Sequence, residues 1–232
     1  MSVLYMMRHG QASFGQKNYD QLSELGRRQA ALTGEHLARL EVNFDTAYCG
    51  TMSRQQDTAR AALEALPSPP PLRVLPEFNE YDSGPIIKSL LPTMKEEDPQ
   101  AVQAAQRMFE DRKAFQVIYE GAMQRWISGR YQLEQGEAWQ DFLARSRAAL
   151  ERVRQDNGRG KTVLVFTSGG PISAALRQAL SLDDETALRL TWVIKNASLS
   201  SFFYNDRDFS LSLFNSTAHL ELHREPGLIT YR

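Results

Sequence analysis

Three short apolar runs in this chain each end in small or charged residues and give way at once to a helical pattern, which leaves few architectures open. The runs are residues 2–7 (SVLYMM) before Arg8-His9-Gly10, residues 44–50 (FDTAYCG) before Thr51-Met52-Ser53-Arg54, and residues 162–166 (TVLVF) before Thr167-Ser168-Gly169-Gly170-Pro171. Leu25, Ala31, Leu32, Leu37 and Leu40 recur at helical spacing after Ser23, and the stretches SRQQDTARAALEAL and PISAALRQAL carry the same period. Pro171 suits the first position of the last of these helices. A short run, LRVL, precedes PEFNEYDSG, and two alternating runs, SLSSFFY and FSLSLF, are joined by NDRD in the manner of a hairpin. Strand followed by helix, repeated, predicts a three-layer α/β/α sandwich on a mostly parallel sheet.

From about residue 89 to 156 the pattern is helical throughout, broken at Pro92, Pro99, Gly129 and Gly136. We expect one domain over residues 1–232 with a helical insertion at about 86–156 lying over the sheet as a lid. A chain of 232 residues with 42% hydrophobic and 24% charged composition can bury a core that needs no staples. Its formal net charge of −1 gives no global attraction to nucleic acid or an anionic membrane, so any anion site must be local. The single cysteine, Cys49, has no internal partner and suits a reducing compartment as a small buried hydrophobe. Residues 1–10 reach charge too early for a secretory leader, and no run approaches the ~18 apolar residues of a membrane span, so a cytoplasmic location is expected. Residues 67–71 (PSPPP) read as a stiff loop, and the sequence does not fix an oligomeric state.

In open α/β sheets ligands bind beyond the carboxyl ends of the strands, and those ends carry the reactive residues here. Imidazole is a good nucleophile near neutral pH, so His9 between Arg8 and Gly10 is a candidate. Arg8 can hold two oxyanion oxygens in a fork, and Arg54, in the first turn after the second strand, can reach the same face. The TSGGP turn offers a hydroxyl and the amides of Gly169 and Gly170 at a helix start, an anion-binding corner. Glu80 could keep a proton if partly desolvated, as a general acid must, with Asp82 as the rival carboxylate. Gln11 and Ser13 are candidate substrate contacts, or satisfy loop backbone. Ser168 lacks the glycine of a nucleophile elbow at Phe166, and the chain lacks a P-loop ending.

The segments LYMMRHGQAS, YDQLSELGRRQA, TMSRQQDTA, EFNEYDSG, VLVFTSGGPI and FNSTAHL, in that order over nearly the whole chain, resemble the histidine phosphatase superfamily, also called phosphoglycerate-mutase-like. The resemblance implies a metal-independent phosphomonoesterase without a cofactor, acting on a small phosphorylated substrate. His9 would attack phosphorus to give a phosphohistidine, Arg8 and Arg54 with Ser168 and Gly169 would bind phosphoryl oxygens, and Glu80 would protonate the leaving alcohol.

One position departs from that family. Its strand normally ends in a second histidine, in a pattern like Ser-His-Gly-Gly, and the matching residue here is Ser168. Losing one preorganised charged donor costs about 3 kcal/mol, on the order of a hundredfold in rate. The alternative reading is therefore an impaired member that binds a phosphorylated ligand or a protein partner. A mutase fits less well. Of the other histidines, His36 reads as a helix-packing residue and His219 as structural.

Overall fold

A computed structural model of the chain describes residues 1–13 and 20–231. Its sheet is built from β1 (Ser2–Arg8), β2 (Thr46–Cys49), β3 (Leu72–Val74), β4 (Thr162–Thr167), β5 (Leu199–Tyr204) and β6 (Phe209–Ser216). Across the sheet the order is β3-β2-β4-β1-β5-β6. β3, β2, β4 and β1 run parallel, while β5 and β6 close the far edge antiparallel. The expected three-layer, mostly parallel α/β architecture is the one observed.

The apolar runs are continuous in the middle of the sheet because both faces are covered. Leu4, Met6, Val163 and Val165 face a layer formed by α6 (Trp139–Asn157) and α7 (Gly169–Leu180). Met7, Leu164 and Phe166 face α1 (Glu24–Arg39) and α2 (Ser53–Leu63). Ser23 caps α1 by accepting from the Gly26 amide at 3.0 Å. Cys49 is buried in the α1/α2 core, and burial pushes its thiol up to about 11.

The helices between β3 and β4 divide into two groups. α3 (Ser83–Glu97), α4 (Pro99–Arg107) and α5 (Arg112–Ser128) form a separate apolar cluster. α6 joins that cluster through Trp139 and Phe142, then crosses onto the sheet through Ala149, Leu150 and Val153. It is a covering helix of the sandwich for most of its length. α3 also runs straight through Pro92 rather than breaking there. An interior proline costs about 3 kcal/mol, and the burial of Ile86, Ile87, Leu90 and Met94 on either side of it opposes that cost. α4 begins where expected, with Pro99 at its first position behind an Asp98 cap.

α8 (Asp184–Val193) was not foreseen, although Asp183 caps it by accepting from the Thr186 amide at 2.7 Å. α9 (Ala218–Glu221) is a single turn after β6. α7 starts at Gly169, so Pro171 is its third residue rather than its first. That position still lies in the first turn, where a missing N–H leaves no bond unmade. Among the described residues no helix is long and apolar enough to cross a membrane.

Candidate active site

β1 and β4 end side by side, with Arg8 in register with Thr167. The two polar strand ends are therefore neighbours, and the His9 amide donates to the Thr167 carbonyl at 2.8 Å. The His9 carbonyl accepts from the Asn196 side chain at 3.1 Å and from the Ala197 amide at 3.2 Å. Gly10 is required just beyond, because a Cβ there would sit 2.2 Å from the Gly26 carbonyl oxygen of α1. The Gly10 amide donates to the Thr58 hydroxyl of α2 at 3.1 Å. With its main chain held on three sides, the imidazole has a fixed place.

That ring is buried, and its Nδ1 lies 2.7 Å from the Gly10 carbonyl oxygen. A carbonyl can only accept, so Nδ1 carries the proton and Nε2 keeps its lone pair. Arg54 Nε donates toward that Nε2 at 3.3 Å. Desolvation by burial, followed by the charges of Arg54 and Arg8, holds His9 well below the usual histidine range. A neutral imidazole carries the Nε2 lone pair that a nucleophile needs, here accepting from Arg54 until a phosphoryl oxygen takes over that donor.

Arg8, His9, Arg54, Glu80 and Gly169 line one cavity of about 520 Å³ at the ends of β1, β2 and β4. Arg8 donates to the Ile194 carbonyl. Arg54 is buried in the first turn of α2 and donates to Asp20 at 2.7 Å. Asp20 also accepts from the Ser53 amide at 2.7 Å, tying the start of α2 to the cavity rim.

Glu80 occupies the corner that TSGGP offers to an anion. Its Oε2 accepts from the Gly170 amide at 3.0 Å and its Oε1 from the Tyr81 amide at 3.2 Å. Burial raises its pKa above the usual carboxyl value, opposed by the Gly170 hydrogen bond and then by the arginine charges. Gly170 must be glycine for this contact, since a Cβ there would lie 2.0 Å from Glu80 Oε1. Arg145 of α6 fixes the segment from behind. It donates to the carbonyls of Glu77 at 3.0 Å and Asn79 at 2.7 Å while pairing with Glu137.

Ser168 lies elsewhere. It is fully buried, outside the cavity lining, with its hydroxyl 2.8 Å from the amide nitrogen of Gln55 on α2. Gln55 donates as well to the Phe78 carbonyl at 3.1 Å. Gln11 is turned to α1, its side-chain oxygen accepting from the Ser23 hydroxyl at 2.9 Å. Ser13 is buried with its amide on the Gln21 carbonyl at 2.8 Å, and neither Gln11 nor Ser13 lines the cavity. Asp82 does line it, at the N-cap of α3, where it accepts from the Gly84 amide at 3.0 Å. His36 and His219 stack at 5.1 Å, and His219 Nε2 faces Thr33 and the Ala197 carbonyl away from the cavity.

Sequence reasoning missed Asp20, Gln55, Arg145, Trp192 and Tyr231. A lone Asp, Gln or Arg at a helix or loop carries no local signal of these partners. Trp192 lies on the unforeseen α8. Phe115 lines the cavity with Tyr119 one turn further along α5. The lysines and arginines of the lid, from Lys88 to Arg130, do not line it.

An α/β sheet presenting a neutral histidine and two arginines at adjoining strand ends agrees with the family comparison, in which residues 4–217 match the histidine phosphatase superfamily (branch 1). The chain belongs to that superfamily. It is 33% identical over 90 residues to the 2,3-bisphosphoglycerate-dependent phosphoglycerate mutase of Bartonella bacilliformis, spanning 35% of this chain and 43% of that protein. It is 26% identical over 195 residues to the mutase of the same description from Rhizobium johnstonii, spanning 81% of this chain and 84% of that one. The fold is shared with mycobacterial glucosyl-3-phosphoglycerate phosphatase Rv2419c, solved with inorganic phosphate: TM-score 0.62 and 23% identity over 94% of this chain and 98% of that one.

Proposed function

We propose that the protein hydrolyses phosphate monoesters through a phosphohistidine at His9, without a metal or cofactor. The observation that carries this reading is the protonation geometry of His9. Its Nδ1–H is held by the Gly10 carbonyl, and its Nε2 lone pair accepts from Arg54 Nε, the donor that would also draw a phosphoryl oxygen to it, in a residue that lines the cavity. A pure binding site for an anion gains nothing from a neutral imidazole there.

In the first step the Nε2 lone pair attacks phosphorus and the bond from phosphorus to the ester oxygen breaks. The electron pair leaves with that oxygen, which takes the proton of the Glu80 carboxyl. Arg8, Arg54 and the Gly169 amide stabilise the equatorial oxygens during transfer. In the second step water gives a proton to the Glu80 carboxylate and attacks phosphorus. The N–P bond breaks, its pair returns to Nε2, and inorganic phosphate leaves.

Ser168 supplies no charge to this site and is taken up by Gln55, which favours slow turnover over a fast general phosphatase. The test is phosphate release from a panel of monoesters in chelator, comparing native protein with His9→Ala. Release that disappears in His9→Ala supports the reading. Phosphate binding that depends on Arg54, with no release from any ester, replaces it with a phospho-ligand sensor or scaffold.

A further inference from the structure

The phosphate end of the cavity and its outer end differ in chemistry. Arg8 and Arg54 supply its positive charge among the described residues, and both sit at the strand ends with His9. The outer wall is aromatic. Phe115 and Tyr119 project from successive turns of α5, with ring centroids 6.0 Å apart. Tyr81, beside the proposed acid, meets Tyr119 hydroxyl to hydroxyl at 2.9 Å. Tyr81 is itself packed against Trp126 and Phe142, so the wall is backed by the lid core. Trp192 of α8 completes it.

Among the described residues the remaining charges on the lining are acidic. Asp20 is paired with Arg54, and Asp82 is an exposed carboxylate at the start of α3. A substrate bearing a carboxylate or a second phosphate beyond its reacting group would carry that anion away from Arg8 and Arg54 and toward Asp82, whose like charge opposes it. A flat apolar group gains from the aromatic wall by burial and ring packing.

We propose that the leaving alcohol carries a neutral aromatic or similarly flat apolar group, and that monoesters with a second anionic group are disfavoured. This rests on the phosphate site proposed above, and it sets the chain apart from the phosphoglycerate chemistry for which the relatives above are named. Phe115, Tyr119 and Trp192 are then specificity-determining residues.

Binding and turnover have to be read separately. The probes are 2-phenylethylphosphonate and ethylphosphonate, titrated into the native protein and into His9→Ala, and 3-phosphoglycerate, an ester, titrated into His9→Ala, so that affinity is measured without hydrolysis. The phenyl compound is expected to bind roughly tenfold or more tighter than the ethyl compound, and Phe115→Ala to remove most of that advantage. Phe115 is only partly buried, and Phe115→Leu serves as a second variant that keeps apolar volume while deleting the ring. Asp82→Asn retains the helix cap and should narrow the gap between the phenyl compound and 3-phosphoglycerate. Equal affinity for the phenyl and ethyl compounds, or tighter binding of 3-phosphoglycerate, overturns the inference. Turnover of benzyl phosphate against ethyl phosphate, two alkyl esters, is the parallel arm. If the aromatic preference in binding persists while no ester is hydrolysed, the substrate inference stands and the catalytic reading alone fails.

Discussion

Adding one methyl group at Gly170 sets helix propensity against cavity geometry. Gly170 is the second residue of α7, and alanine is worth up to about 1 kcal/mol over glycine inside a helix. Its Cβ, however, would lie 2.0 Å from Glu80 Oε1 and 3.0 Å from a ring carbon of Phe142. Ordinary contact begins at 3.4 Å, so the carboxylate must withdraw by about 1.4 Å. Glu80 is the end of a flexible side chain and can rotate away, giving up its 3.0 Å bond from the Gly170 amide. One such bond contributes about 1 kcal/mol net, which the helix gain roughly offsets. The buried Phe142 ring must also yield by about 0.4 Å, so a loss of about 1 kcal/mol in stability is expected. Catalysis should not be spared, because misplacing a catalytic group by about 1 Å costs on the order of a hundredfold. The assay is kcat/KM, which ends at formation of the phosphohistidine and leaves out the hydrolysis common to both esters, for Gly170→Ala on benzyl phosphate, whose alkoxide needs the proton, and on p-nitrophenyl phosphate, whose phenolate leaves without it. The benzyl phosphate value should fall by about two orders of magnitude and the p-nitrophenyl phosphate value far less, with Tm within a few degrees of native. Equal losses on both substrates, or a benzyl phosphate value within about twofold of native, refute the assignment of Glu80 as the acid.

The pH profile follows from the same pair. Burial raises Glu80, so its proton is present below that raised value and lost above it. The alkaline fall of kcat/KM on benzyl phosphate should therefore vanish in Glu80→Gln, along with roughly a hundredfold of rate, and its persistence would point to another group. The His9 pKa is depressed, so on the acid side the lone pair should survive below the usual histidine range before activity falls. Ser168→His alone forces an imidazole against the Gln55 amide, 2.8 Å from the serine hydroxyl, and should destabilise the fold by about 1–3 kcal/mol. Pairing it with Gln55→Ala opens that space, and a folded double variant should gain up to about a hundredfold in kcat, while no gain would mean that the neutral serine does not limit the rate. His219 is buried with its pKa lowered to about 4, so folding excludes a proton that the unfolded chain binds. Unfolding free energy should drop by on the order of 2 kcal/mol from pH 7 to 5, and an identical drop in His219→Gln would assign it to other groups.

The strand ends were legible because strands buried on both faces leave short, unbroken apolar runs, and polar residues stand out where such runs stop. Arg8, His9 and Arg54 could be singled out in that way, Glu80 came chiefly from the family resemblance, and the structure brings all four to one cavity. What sequence could not supply was pairing across long separations. Gln55 meets Ser168 and Arg145 meets the Glu77 and Asn79 carbonyls only after the sheet and α6 have formed. Ser168 could be placed on the right turn but not on the right side of it, because a hydroxyl can satisfy either the cavity or α2. Pro92 was misleading for the opposite reason: a strong local breaker is overridden by the apolar residues packed on both sides of it. α8 escaped notice although its Asp183 cap was visible, since the apolar residues behind it fall on a half-buried helix without a clear period.

The most direct test of the account is to trap the covalent intermediate. Native protein and Glu80→Gln are mixed with p-nitrophenyl phosphate, quenched in alkali, where phosphohistidine survives, and digested for mass spectrometry of the peptide bearing residues 1–13. The account predicts a single phosphoryl group on His9 in both proteins and none in His9→Ala. Turnover that persists in His9→Ala, or phosphate release by the native protein with no label on His9, would contradict it.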